Sequence, residues 1–89
     1  MSRPTRDQVF DQLQTILSER LPEVVPSMVT EDASLKKDLG ADSLDTIELV
    51  LYCEEAFEIE ISDDDLEKFK DCTVGEAVDL LHKLAADAK

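Results

Sequence analysis

Asp38-Leu39-Gly40-Ala41-Asp42-Ser43-Leu44-Asp45-Thr46-Ile47-Glu48-Leu49-Val50 spans the end of a loop and the opening turns of a helix. Gly40 supplies permissive backbone just before the turn. Asp42 or Ser43 fits an N-cap, since a short oxygen-bearing side chain accepts from an otherwise unpartnered first-turn N–H. From Ser43 the helical pattern continues to about Phe57. At about 100° per residue, Leu49, Val50, Cys53 and Phe57 share one side, an apolar stripe able to close a bundle core. Leu44, Ile47 and Leu51 form a second apolar line nearly opposite, interleaved with Glu48, Glu54, Glu55 and Glu58. Two apolar lines on one helix leave two readings open. Either the preceding loop folds over the second line and buries it, or the line is a docking face whose acids steer basic partners onto aliphatic anchors.

Working outward, Val9, Leu13, Ile16, Leu17 and Leu21 have the three-and-four spacing of an amphipathic helix, and Thr5-Arg6-Asp7-Gln8 fits a capping box at its start. Pro22 and Pro26 end that helix. A long loop follows to Asp42, with Ala33 and Leu35 as expected anchors into the core. On the other side, Ile59 and Ile61 suggest a short extended passage, and Ser62 caps a short helix that opens with Asp63, Asp64 and Asp65. Thr73-Val74-Gly75-Glu76 is a further capping box. It leads a last helix with Val74, Ala77, Val78, Leu81 and Leu84 on one face. The expected fold is all-α: a small four-helix bundle of three main helices and one short one, with a long loop between the first two. Residues 1–89 are expected to form a single domain.

Charge and motif spacing narrow the function. The 89 residues hold 22 acidic and 9 basic side chains, a formal net charge of −13. Such a chain repels nucleic acid and anionic membranes and favours partners with basic patches. Its 43% hydrophobic content is enough for a core, and a monomer is expected. No stretch is long and apolar enough for stable membrane insertion, and no signal-peptide core is present, so the expected address is cytoplasmic. Cys53 and Cys72 lack metal-ligand spacing and are expected to be free, buried thiols. A serine-hydrolase reading needs a base, but His82, the sole histidine, lies mid-helix and is expected to be solvated; the G-x-S-x-G elbow is absent. Asp63-Asp64-Asp65 lacks the glycine and ligand spacing of a calcium loop, so no metal site is expected. Lys36 and Lys37 read as a solvated loop pair.

The run Asp38-Leu39-Gly40-Ala41-Asp42-Ser43-Leu44 resembles the D-x-G-x-D-S-L signature of acyl carrier proteins, with the likeness extending over about residues 5–84. Asp42 to Val50 is similar to the second helix of free-standing type II fatty-acid carriers almost residue for residue. The resemblance implies that Ser43 is esterified to 4′-phosphopantetheine, taken from coenzyme A by a phosphopantetheinyl transferase. It further implies that the arm's thiol carries acyl chains as thioesters to fatty-acid or polyketide synthase enzymes, with no catalysis by the chain itself. Asp42, Leu44, Ile47, Glu48, Leu51, Glu54 and Glu55 become the expected contacts with those enzymes. Tyr52 and Cys53 depart from the related pattern, which often has a small residue followed by Leu. The alternatives are a peptidyl, aryl or D-alanyl carrier, or an unmodified acidic interaction module.

Overall fold

Helices begin where the sequence offers caps. The computed structural model describes residues 4–87. Helix α1 (Arg6–Arg20) starts from Thr5, whose hydroxyl accepts from the Gln8 N–H at 3.2 Å while Gln8 Oε1 accepts from the Thr5 N–H at 2.9 Å. Helix α2 (Ser43–Phe57) starts from Asp42. Helix α3 (Asp63–Phe69) starts from Ser62, and α4 (Val74–Asp87) follows Thr73, where Glu76 completes a reciprocal pair of bonds. These bonds occupy first-turn N–H groups that the helices cannot satisfy themselves. No strand occurs among the described residues, so the chain is the all-α bundle expected.

Helix α1 buries Val9, Leu13 and Leu17 against Leu49, Val50 and Cys53 of α2 and Val74, Ala77, Val78 and Leu81 of α4, with Phe69 of α3 completing the core. Phe57 and Leu84, both expected on core faces, are only half-buried at its margin, and Ala85 is the buried residue in the last turn of α4. Thr46 joins the core face of α2, 1% exposed. Burial is tolerated because its hydroxyl donates to the Asp42 carbonyl at 2.9 Å. His82 is half-buried rather than solvated, because its position on α4 lies beside Leu81 and the core margin.

The loop between α1 and α2 is more ordered than two anchors would make it. A 3₁₀ turn forms at Pro26–Met28, and Val24, Val29, Leu39 and Ala41 are buried along with Ala33 and Leu35. The Val74 N–H donates to the Ala33 carbonyl at 2.8 Å and the Leu35 N–H to the Cys72 carbonyl at 3.1 Å, forming an antiparallel bridge between Ser34 and Thr73. At Gly75 the N–H donates to the Glu31 carbonyl at 2.9 Å. A Cβ there would stand 2.5 Å from Glu31 Oε1 and 3.0 Å from that carbonyl oxygen, so any larger residue would have to displace the Glu31 side chain, and the close approach favours glycine.

Arg6 closes the same junction from α1. It donates to both Glu31 carboxylate oxygens at 2.8 Å, to Asp79 at 2.6 Å and to the Gly75 carbonyl at 3.3 Å. The bonds to Glu31 and then Asp79 raise the Arg6 pKa, and the Arg6 bond holds the Glu31 carboxyl below its ordinary value. The loop is therefore pinned to the start of α4, leaving the outer face of α2 uncovered.

Candidate functional site

Backbone geometry delivers Ser43 to the surface. Leu39 and Ala41 are buried on either side of Gly40, which takes a positive φ of 74° with open space where a Cβ would lie. The Ala41 N–H donates to the Leu35 carbonyl at 2.8 Å, and the Ser34 N–H donates to Asp38 Oδ2 at 2.6 Å. These bonds fix the approach to α2. Asp42 then turns the chain into the helix: its Oδ1 accepts from the Asp45 N–H at 2.9 Å, and Asp45 Oδ2 accepts from the Asp42 N–H at 3.4 Å.

Of the two candidate caps, Asp42 takes the role. Ser43 is thus the first helical residue, exposed, with its hydroxyl relieved of capping. This arrangement fits a phosphodiester at Ser43. The helix N-terminus favours anionic oxygens, the missing Gly40 side chain leaves space, and among the described residues no buried side-chain polar atom lacks a partner. Asp42 and Asp45 oppose the added charge but are already hydrogen-bonded to backbone.

Beyond Ser43, the second apolar line is exposed: Leu44 is 65% exposed, Ile47 40% and Leu51 57%. Glu48 and Glu55 lie exposed on the same helix. Glu54 differs from them, being half-buried and accepting the Ile61 N–H at 2.9 Å. Tyr52 borders the line, and the Arg20 guanidinium lies 3.6 Å from its ring centroid. Sequence periodicity gave no hint of that pairing, because it joins the last turn of α1 to α2.

Both thiols are free and buried. Burial, then the charge of Glu54, pushes the Cys53 pKa up to about 12. Burial, followed by Glu76 and Asp71, pushes Cys72 up to about 11. Neither is a nucleophile near neutral pH. Asp63 and Asp64 are exposed in the first turn of α3, while Asp65 is half-buried, 3.8 Å from Lys68. Among the described residues no three His, Cys, Asp or Glu side chains gather as a metal site. Nor is any helix there long and apolar enough to cross a membrane.

A short helical bundle that presents an uncommitted serine at the mouth of an acidic, partly apolar helix defines a carrier-type domain. The family model described as the phosphopantetheine attachment site matches residues 11–81, and the chain belongs to this family, among the acyl carrier proteins. The acyl carrier protein of Guillardia theta is 49% identical over 79 residues, covering 89% of this chain and 94% of the relative. That of Thermotoga maritima is 44% identical over 79 residues, with the same coverage. The solved acyl carrier protein of Enterococcus faecalis superposes with a TM-score of 0.74 at 38% identity, over 91% of this chain and 99% of the other. The Thermotoga maritima crystal structure superposes with a TM-score of 0.72 at 28% identity, over 92% of each chain. The cofactor is 4′-phosphopantetheine, and proteins of this class carry acyl chains to synthase enzymes rather than catalyse.

Proposed function

We propose that Ser43 is the attachment site and that the chain is a single-domain cytoplasmic carrier of the fatty-acyl type, without catalytic activity of its own. The observation that carries this reading is the capping by Asp42, which leaves an exposed hydroxyl on a rigid helix start. On a phosphopantetheinyl transferase, Ser43 Oγ attacks the pantetheine-bearing phosphorus of coenzyme A. Adenosine 3′,5′-bisphosphate leaves, and the hydroxyl proton passes to a base outside this chain. The attached group supplies a terminal thiol that holds the acyl chain as a thioester. Shelter between helices during transit is favoured because exposed alkyl chain costs about 0.8 kcal/mol per CH₂. Asp42, Leu44, Ile47, Glu48, Leu51 and Glu55 form the docking surface for the transferase and the synthase enzymes. Glu54 contributes charge from a fixed position.

The buried thiols support the same reading. With pKa values raised by burial, Cys53 and Cys72 stay protonated below about pH 9. The arm's thiol is then the reactive one. Intact-mass measurement after incubation with coenzyme A and a transferase tests the assignment: wild type gains one prosthetic group, and Ser43→Ala stays helical and gains none. Native thiol titration at pH 8 finds one reactive thiol in the loaded protein and none in the unloaded one. Peptide mapping of the arm to another residue would overturn the proposal.

A further inference from the structure

The last turn of α1 and the outer face of α2 meet in a shallow groove of about 410 Å³ lined by Glu19, Arg20, Glu48, Leu51 and Tyr52. Glu19 and Glu48 continue the acidic surface, whereas Arg20 is a cation set among them. Its guanidinium is held 3.6 Å from the Tyr52 ring centroid by cation–π attraction, and Tyr52 is 37% exposed. Arg20 forms no ion pair among the described residues despite these acidic neighbours. A guanidinium presents its donors in one plane, matched to the two oxygens of a carboxylate. Stacking on the ring restricts rotamers that such a contact would otherwise have to freeze on binding.

The surface that covers the rest of this face must be basic, because the aliphatic line is bordered by Glu48 and Glu55. We propose that the Arg20–Tyr52 stack is a register contact within that docking surface. Its occupant is the enzyme that acts on the carried acyl group, which brings one carboxylate to Arg20 inside an otherwise basic patch. The inference rests on the reading of the outer α2 face as a docking surface. Distance favours an enzyme working at the far end of the arm. Tyr52 lies about 13 Å along the helix axis from Ser43, at 1.5 Å per residue. A transferase working on the hydroxyl is aligned chiefly by the contacts nearest Ser43, at Asp42, Leu44 and Ile47, whereas an enzyme working on the thioester must align the whole helix so that the arm enters its active site. One reversed charge in a like-charged face enforces that alignment, since a partner slipped by a turn sets a cation against Arg20.

The sign of one substitution decides the matter. If the face reads only net negative charge, Arg20→Glu makes it more acidic and raises kcat/KM with a basic enzyme. The register contact predicts the opposite. With loaded, acylated protein and the condensing enzyme of the same organism, Arg20→Glu lowers kcat/KM about tenfold, through KM rather than kcat. Tyr52→Leu keeps the charge, removes the ring and gives a smaller loss of the same kind. Replacing the matching enzyme carboxylate by Lys restores most of the activity with Arg20→Glu and impairs wild type. Transferase loading serves as the reference and moves far less, while melting curves confirm that both variants fold. An unchanged or raised kcat/KM for Arg20→Glu, or no enzyme acid whose replacement rescues it, overturns the proposal. So does a wild-type dimer in sedimentation velocity that Arg20→Glu dissolves, because the carboxylate then comes from a second copy of this chain. Failure of the underlying docking surface is distinguishable: in that case Ile47→Ala and Glu48→Lys also leave condensation unaffected.

Discussion

Helices α2 and α4 are nearly equal in length, 15 and 14 residues, yet they treat apolar residues in opposite ways. Along α4, Val74, Ala77, Val78 and Leu81 are buried on one face, and Leu80 and Leu84 pack at its margin. Along α2, Leu49, Val50 and Cys53 are buried while Leu44, Ile47 and Leu51 stay in water. Helix α4 can therefore be accounted for by folding alone. The outer line of α2 cannot, because in the free chain it removes little apolar surface from water. Such a surface ringed by acids makes sense when another protein covers it.

Truncation on the two helices gives the largest contrast. Leu81→Ala should cost about 2–5 kcal/mol, the range for a fully buried leucine, whereas Leu51→Ala should change stability by no more than about 0.5 kcal/mol. Urea unfolding followed by circular dichroism measures both. A Leu51→Ala cost equal to that of Leu81→Ala would make the outer line core and break the comparison.

A smaller effect is expected where the loop is pinned to the first turn of α4. The Glu31 pKa is lowered by Arg6, so its contribution is fully present above the ordinary glutamate range and is lost as pH falls through the depressed folded value. Glu31→Gln should lower the melting midpoint at pH 7 by less than Leu81→Ala does. The gap from wild type should close as the pH drops toward the bottom of the carboxylate range. Thermal scans of both proteins from pH 7 to strongly acid conditions test this. A gap that stays constant would mean that the side chain's shape, not its charge, holds the loop on α4 and away from α2.

Local hydrogen bonds explain why the element boundaries were legible. Thr5 with Gln8, Asp42 with Asp45, Ser62 with Asp65, and Thr73 with Glu76 are all contacts three residues apart, so their chemistry is visible along the chain. The exposed state of Ser43 followed from the same local logic once the cap fell to Asp42. Long-range closure was hidden. Val24, Val29, Leu39 and Ala41 have no periodicity, and their burial depends on where the loop meets α4. Arg6 finds Glu31 and Asp79 only after folding, and Arg20 finds Tyr52 in the same way. Thr46 was hidden by its polar type, because the bond that permits its burial returns to the backbone of its own helix. The choice between a covered and an uncovered outer line depended on the loop's path, which no local pattern encodes.

The smallest effect on stability, and the sharpest on function, should come from Glu48→Lys. Glu48 is exposed in the middle of α2 and forms no ion pair among the described residues. Reversing its charge also relieves part of the self-repulsion of a chain at −13, so the melting midpoint should hold or rise slightly at low ionic strength. Against a basic transferase the same change should slow association and flatten its salt dependence, as removal of a steering charge does. Ile47→Ala, one residue away, should instead speed dissociation by deleting an apolar anchor, with association nearly unchanged. Stopped-flow kinetics at several salt concentrations separate the two rates, and melting curves monitor the fold. If both substitutions altered only dissociation, charge would act within the complex and not in steering. If Glu48→Lys destabilised the free domain as core truncation does, the division between an inner face that folds the chain and an outer face that meets partners would not hold.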